Sequence, residues 1–183
     1  MNATVAFIGL GIMGGPMSRN LSKAGFKVQA FDLRSGAIQD AVNAGAQAAG
    51  SAASATVGAE FVITMLPNSE HVLDVMLNKD RIVDKLEPGS LYIDMSTIAP
   101  TVTDRLSEEL VTRSSSMVDA PVGRPQGDAG RAVGERILLA DALEEPEKFV
   151  VTPHQCVLTV IHSVTAGSVD ERTRSPSECR TRL

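Results

Sequence analysis

The residues Thr4-Val-Ala-Phe-Ile-Gly-Leu-Gly-Ile-Met-Gly-Gly-Pro-Met17 are the strongest indication of the fold of this 183-residue chain. Its apolar start predicts a buried strand, and Gly9, Gly11 and Gly14 follow in the spacing G-x-G-x-x-G before a helix. Gly9 would permit a tight turn, Gly11 would let the backbone approach a phosphate, and Gly14 would let the helix pack on the strand. Because an ordinary strand-to-helix loop is the alternative, the glycines indicate a dinucleotide site only in the right context.

Asp32 supplies that context. It ends a second apolar run, Lys27–Phe31, and lies 18 positions after Gly14, near the usual spacing of about 20. A carboxylate there can accept hydrogen bonds from the adenosine ribose of NAD and would repel the 2′-phosphate of NADP. Arg34 could accommodate that phosphate, so the sequence favours NAD and leaves NADP open. As an alternative or additional role, Asp32 could cap a helix that starts near Ser35.

Apolar strand-like runs alternate with helix-like stretches through the first two thirds of the chain, which predicts a doubly wound, mostly parallel α/β sheet with helices on both faces. After the first two strands, the predicted strands are 61–66, 91–95 and 117–120. The predicted helices are 35–43, ended by Gly45; 51–57, capped by Ser51; 69–77, capped by Asn68; and about 100–113.

Composition narrows the class of protein. The net charge of −5 and the 3% aromatic content argue against a nucleic-acid partner. No apolar run approaches the roughly 20 residues that span a bilayer, and the N-terminus has no basic leader. The two cysteines, Cys156 and Cys179, fit neither a zinc site nor a redox pair, so a cytoplasmic protein without a metal is expected.

The pattern of strands and helices fails after Pro121. Residues 123–128 are typical of a loop, and 137–140 could form one more strand. The sequence therefore predicts a dinucleotide-binding domain over residues 1–142 and an irregular tail over residues 143–183. The composition of that tail would be explained by a frameshifted or truncated reading frame.

The opening resembles the signature of the β-hydroxyacid dehydrogenases, the family of 3-hydroxyisobutyrate dehydrogenase and tartronate semialdehyde reductase. The resemblance rests on residues 7–17 and continues through Asn20-Leu21 to Lys23-Ala-Gly25. Three later segments agree in order: Met65-Leu-Pro67 resembles the loop beside the cofactor, Asp94-Met-Ser-Thr97 the loop near the nicotinamide, and Asp119-Ala-Pro-Val122 the start of the substrate segment. The imine reductases and histone-reader relatives share the opening signature, and Arg124 makes them the weaker match.

The family often continues its substrate segment with Ser-Gly-Gly, whereas this chain has Gly123 and Arg124. That variant is similar to the sulfolactaldehyde reductases, in which the arginine is expected to hold a sulfonate; a surface arginine is the alternative. The predicted cofactor contacts are Gly9, Leu10, Gly11, Ile12, Met13, Gly14, Asp32, Met65, Leu66, Pro67 and Thr97, and the predicted substrate contacts are Ser96, Gly123 and Arg124. Ser96 and Thr97 could instead cap the helix that begins near Pro100, and His71 is expected to be a solvent-facing polar residue.

The family's catalytic lysine, in a G-x-x-x-K-x-x-x-N pattern, has no counterpart here, because no lysine follows Lys148. The helical domain that completes the family's active site is also expected to be absent. No catalytic residue is therefore assigned. The resemblance implies an NAD(P)-dependent oxidoreductase that interconverts a small hydroxy acid or hydroxysulfonate and its semialdehyde, acting as a homo-oligomer on a small anionic substrate. The alternative is a catalytically incomplete NAD-binding module.

Overall fold

A six-stranded parallel sheet forms the centre of the computed structural model, which describes residues 3–121. The strands are β1 (Thr4–Ile8), β2 (Lys27–Phe31), β3 (Gln47–Ala48), β4 (Phe61–Thr64), β5 (Leu91–Asp94) and β6 (Ser116–Asp119). Their order across the sheet is β3-β2-β1-β4-β5-β6, and every neighbouring pair is parallel. This is the doubly wound order, so the predicted fold class is confirmed.

Five α-helices connect the strands of the described part: α1 (Gly14–Lys23), α2 (Ser35–Asn43), α3 (Ala52–Ala55), α4 (Ser69–Leu73) and α5 (Pro100–Val111). A π-helical segment, Asp74–Asn78, continues α4, and a 3₁₀-helix covers Ile82–Lys85. Side chains alternate across each strand, so each face of the sheet receives its own apolar layer. Met17 and Leu21 of α1 pack with Val5 and Phe7 on one face, while Ile8 and Tyr92 pack with the α3, α4 and α5 side on the other.

The predicted helix caps are confirmed at two places. The Ser51 hydroxyl accepts a hydrogen bond from the Ser54 main-chain N–H at 3.0 Å, and the Ser54 hydroxyl accepts one from the Ser51 main-chain N–H at 2.9 Å. The two bonds together form a capping box. The Asn68 side chain accepts from the His71 N–H at 3.1 Å. Gly45 ends α2 with a φ of +102°, a conformation that glycine adopts without strain.

Several predicted boundaries are corrected. The strand predicted over 61–66 ends at Thr64, because the Leu66 N–H leaves the sheet and donates to the Ser96 hydroxyl at 2.9 Å. The helix predicted over 51–57 ends at Ala55, and the helix predicted over 69–77 changes to π geometry at Asp74. The last three predicted elements, 91–95, 100–113 and 117–120, are each observed with ends shifted by one or two residues.

Two elements were not predicted. β3 has two residues and the 3₁₀-helix four, so neither is long enough to show a periodic pattern of apolar residues. The predicted strand 137–140, the boundary at residue 142 and the predicted irregular tail lie outside the described residues.

Candidate cofactor site

A cavity of about 1030 Å³ opens beside β1, where the addition of strands to the sheet switches from the β2 side to the β4 side. Its wall contains residues from the ends of all three strands and from the helix that follows β4. In open parallel sheets, ligands bind outside the carboxyl ends of the strands at this switch point. The position of the cavity therefore follows from the strand order.

The glycine turn forms one wall of the cavity, and its three glycines have different surroundings. Gly9 has a φ of +97°, and a Cβ there would lie 2.4 Å from the Met65 carbonyl oxygen. At Gly14 a Cβ would lie 1.9 Å from the Gly9 carbonyl oxygen, so the first turn of α1 packs directly on the turn. Gly11, in contrast, would place a Cβ in open space, with no atom within 4 Å. The first and third glycines are needed by the fold, and the second leaves room beside the backbone.

Helix α1 starts at this turn without a side-chain cap. Its N-cap residue is Met13, which makes no side-chain hydrogen bond to the helix, and no acidic residue occupies the first turn. The Gly15 N–H already donates to the Gly11 carbonyl at 3.0 Å, and Pro16 has no N–H. The positive end of the helix dipole, at Gly14 and Gly15, favours an anion at such a position. Ile12, with 93% of its surface exposed, lies beside them on the cavity wall.

Asp32 lies at the end of β2, and its two carboxylate oxygens are both hydrogen-bonded. The Leu10 N–H donates to Oδ2 at 2.7 Å and the Arg34 N–H donates to Oδ1 at 2.8 Å. Burial raises the pKa of Asp32, but the hydrogen bonds from Arg34 and Leu10 together outweigh it, so the pKa lies below its ordinary value. Asp32 is thus held as a carboxylate at the cavity wall. It does not cap α2, whose N-cap is Arg34, so that alternative is wrong.

The loop after β4 forms the opposite wall, with Met65, Leu66 and Pro67. The Met65 N–H extends the sheet by donating to the Ile8 carbonyl at 2.9 Å, and the Leu66 N–H is held by Ser96. The wall is therefore fixed to β1 on one side and to the loop after β5 on the other.

Of the predicted contacts within residues 3–121, nine line the cavity and three do not. Those that line the cavity are Gly9, Gly11, Ile12, Met13, Gly14, Asp32, Met65, Leu66 and Pro67. Leu10 lies behind this lining, buried, with its N–H donated to Asp32. Ser96 is fully buried and Thr97 is exposed, and neither belongs to the lining formed by residues 3–121.

Ser96 instead joins the two loops at the carboxyl ends of β4 and β5. Neither it nor Thr97 caps α5, whose N-cap is Ala99, so the capping alternative is wrong for both. Their predicted contacts with substrate and cofactor stay predictions, as do those of Gly123 and Arg124, which lie outside the described residues.

The polar end of the cavity was not predicted from the sequence. Glu70, His71, Asp74, Lys79 and Asp80 line it, from α4 and the segment that follows. His71 is exposed, as expected, and also borders the cavity, with its Nδ1 2.7 Å from the Asn68 side-chain oxygen. The spacing i, i+3, i+4 of His71, Asp74 and Val75 could have indicated one helix face beside the Pro67 turn.

A hydrogen-bonded cluster of the polar side chains of Thr64, Tyr92 and Asp94 lies buried toward the carboxyl ends of β4 and β5. The Thr64 hydroxyl donates to Asp94 Oδ1 at 2.9 Å and lies 2.7 Å from the Tyr92 hydroxyl. Burial raises the pKa of Asp94 to about 6, and its Oδ2 has no hydrogen-bond partner among the described residues. Because the Ser96 N–H also donates to Asp94 Oδ1 at 2.9 Å, this group supports the Ser96 link to the cavity wall.

Comparison with known proteins agrees with this geometry. Residues 4–165 match the family described as the NAD binding domain of 6-phosphogluconate dehydrogenase. The chain belongs to this family.

Three relatives illustrate the family. The chain is 41% identical over 143 residues to the 3-sulfolactaldehyde reductase of Escherichia coli K12. The matched stretch covers 78% of this chain and 47% of the relative. It is 44% identical over 145 residues to the NAD-dependent L-serine dehydrogenase of Pseudomonas aeruginosa, and that match covers 77% of this chain and 48% of the relative. A structure of Mycobacterium tuberculosis 3-hydroxyisobutyrate dehydrogenase with L-serine is 37% identical, with a TM-score of 0.63 and coverage of 67% and 41%.

The chain thus spans about half the length of the curated relatives it matches. In residues 3–121, no helix is long and apolar enough to cross a membrane. The same residues contain no group of three or more His, Cys, Asp or Glu side chains that could hold a metal ion.

Proposed function

We propose that this chain binds NADH in the cavity beside β1 and discriminates against NADPH. The observation that carries the proposal is that open space beside Gly11, the uncapped start of α1 and the Asp32 carboxylate all border one cavity. A pyrophosphate would lie against the glycine turn and α1, and the ribose hydroxyls would donate to Asp32.

The charges around the cavity support the preference for NADH. Besides His71, the lining carries four carboxylates against two basic side chains: Asp32, Glu70, Asp74 and Asp80 against Arg34 and Lys79. Both basic groups are already paired, Arg34 with Asp32 and Lys79 with Asp74. A 2′-phosphate would bring further negative charge next to Asp32, which opposes NADPH.

We further propose that the protein is an oxidoreductase that interconverts a small hydroxy acid or hydroxysulfonate and its semialdehyde. The names of the relatives support this substrate class. Bound NADH would supply the hydride when the semialdehyde is reduced, and bound NAD would accept it when the hydroxy acid is oxidised. The role of this chain's residues is to seat the cofactor against the glycine turn and the Met65–Pro67 loop. If Arg124 faces the substrate, its guanidinium suits a carboxylate or sulfonate.

The test is calorimetric titration of the full chain with NADH and NADPH in parallel. We expect NADH to bind at least about tenfold more tightly than NADPH. The variant Asp32→Ala should lose about tenfold or more in NADH affinity, since buried hydrogen bonds to a charged group are worth about 1.5–3 kcal/mol. Asp84→Ala is the matched control, because Asp84 is also paired with arginines but lies outside the cavity. Absence of NADH binding by the unmodified chain would contradict the proposal.

Turnover is measured separately, by following NADH absorbance with 3-sulfolactaldehyde, or NAD with L-serine or 3-hydroxyisobutyrate. Turnover of one of these supports the oxidoreductase. Tight NADH binding without turnover of any of them supports the alternative of a binding module. A cytoplasmic location, a homo-oligomeric state and a domain boundary near residue 142 stay predictions.

A further inference from the structure

The guanidinium of Arg34 is hydrogen-bonded to Asp32, the carboxylate that would accept hydrogen bonds from the ribose. Its Nε donates to Asp32 Oδ1 at 3.2 Å, and its Nη2 lies 3.4 Å from Oδ2. The same Nη2 donates to the Leu10 carbonyl oxygen at 3.1 Å. Arg34 therefore ties the end of β2 to the glycine turn across the mouth of the proposed ribose position.

These contacts leave Asp32 no free oxygen for a ribose. Each carboxylate oxygen already accepts one main-chain N–H, from Arg34 at Oδ1 and from Leu10 at Oδ2. The guanidinium takes the second position on each oxygen, and the Asp32 side chain keeps only 11% of its surface exposed. The main-chain bonds belong to the fold of the turn, so the guanidinium is the partner that can be exchanged.

The guanidinium is also the partner that moves at little cost. The Arg34 side chain is 64% exposed, and ion pairs at such exposed positions contribute little to stability. Once displaced, it would remain at the rim of the cavity, where its charge would face whatever group occupies the ribose 2′ position.

We propose that Arg34 is a latch over the ribose position, bound to Asp32 in the free chain and displaced when the ribose hydroxyls of NADH replace its hydrogen bonds. This inference rests on the proposed cofactor site and adds a residue that sets its affinity and selectivity. The latch lowers NADH affinity by the free energy needed to open it. For NADPH the guanidinium acts in the opposite direction: its positive charge attracts the 2′-phosphate, although that phosphate cannot donate the hydrogen bond that would replace the guanidinium on Asp32.

The experiment compares the full chain with Arg34→Ala and Arg113→Ala, each titrated with NADH and with NADPH. Arg113 is the matched control, since its guanidinium also joins a carboxylate, Asp84, and a main-chain carbonyl, Glu109, away from the cavity. We expect Arg34→Ala to bind NADH about two- to fivefold more tightly, the range set by an exposed ion pair. Its NADPH affinity should fall, because the cation at the rim is lost, and Arg113→Ala should change neither affinity.

A second measurement follows the Asp32 carboxyl by carbon-13 NMR titration without any cofactor. The hydrogen bonds from Arg34 help to hold the pKa of Asp32 below its ordinary value, so Arg34→Ala should raise it. An unchanged pKa would show that the latch does not form in solution and would overturn the proposal.

The outcomes separate this proposal from the cofactor site itself. Tight NADH binding by the unmodified chain, with equal or weaker binding by Arg34→Ala, overturns the latch and leaves the site intact. An equal gain in Arg113→Ala also overturns it, because the effect would then be one of general charge. No NADH binding by the unmodified chain overturns both proposals.

Discussion

At the scale of single residues, the three glycines of the turn differ in what they contribute, although the motif treats them alike. Gly9 and Gly14 have no space for a side chain because main-chain carbonyl oxygens occupy it. Gly11 has that space, so its lack of a side chain is not required by packing. Gly9 and Gly14 are therefore assigned to the stability of the turn, and Gly11 to the proposed binding of NADH.

The pair Gly14→Ala and Gly11→Ala tests this separation. A methyl group at residue 14 would overlap the Gly9 carbonyl oxygen, so we expect a loss of about 3 kcal/mol or more in the free energy of unfolding. A methyl group at residue 11 should change stability by less than about 0.5 kcal/mol and weaken NADH binding by about tenfold or more. Thermal unfolding and calorimetric titration measure the two effects. Equal destabilisation by both substitutions would contradict the assignment.

The buried carboxyl of Asp94 predicts a pH-dependent stability. Its pKa is about 6 in the folded chain against 3.8 ordinarily, so over this range the folded state keeps a proton that the unfolded state releases. The free energy of unfolding therefore falls as pH rises from about 4 to about 6, by about 3 kcal/mol from this group.

Asp94→Asn removes the titrating group, so the difference in stability between the unmodified chain and the variant should change by that amount over the same range. Urea unfolding at several pH values measures it. Asp119, whose pKa burial also raises, and the aspartates with lowered pKa remain in both proteins and largely cancel. A difference that stays constant with pH would show that Asp94 is not buried as described.

At the scale of elements, the cavity is held together by loops that follow neighbouring strands. The strand β4 stops two residues before the predicted end, because the Leu66 N–H donates to the Ser96 hydroxyl and not to a neighbouring strand. Ser96 in turn is fixed by Asp94, which is hydrogen-bonded to Thr64 at the end of β4. The cavity wall thus depends on a chain of hydrogen bonds between elements that are about 30 residues apart in sequence.

Ser96→Ala tests that chain. It leaves the Leu66 N–H without its acceptor, so we expect a loss of about 1–3 kcal/mol in the free energy of unfolding together with weaker NADH binding. Ser18→Ala is the control, because Ser18 is equally buried but its hydroxyl donates to a carbonyl near the start of α1, at Gly15. The control should cost less and leave NADH binding unchanged. Equal effects of the two substitutions would contradict a special role for Ser96.

At the scale of the whole molecule, the strand order brings together segments that are distant in sequence. With β1 between β2 and β4, the glycine turn, Asp32 and the Met65–Pro67 loop border one cavity. A ligand bound there contacts three strand ends at once and should stabilise the described domain as a unit.

We therefore expect NADH to raise the free energy of unfolding by about 2.7 kcal/mol when free NADH is about a hundredfold above its Kd. Thermal unfolding with and without cofactor measures the effect. Reduced nicotinamide mononucleotide, which lacks the adenosine ribose, is the control and should stabilise the chain less at the same concentration. An equal effect of the two would place the ribose away from Asp32.

The fold class, the glycine turn and the position of Asp32 could be predicted from the sequence alone, because strand and helix patterns and glycine spacing are local properties. It also located the helix caps at Ser51 and Asn68, whose hydrogen bonds reach only three residues. Features that depend on contacts between distant residues became visible only in the folded chain. Ser96 is a buried link to Leu66, Arg34 reaches the carbonyl of Leu10, 24 residues away in sequence, and the polar residues after Pro67 border the cavity. No local pattern encodes these contacts, since each requires the strand order to bring separate segments side by side.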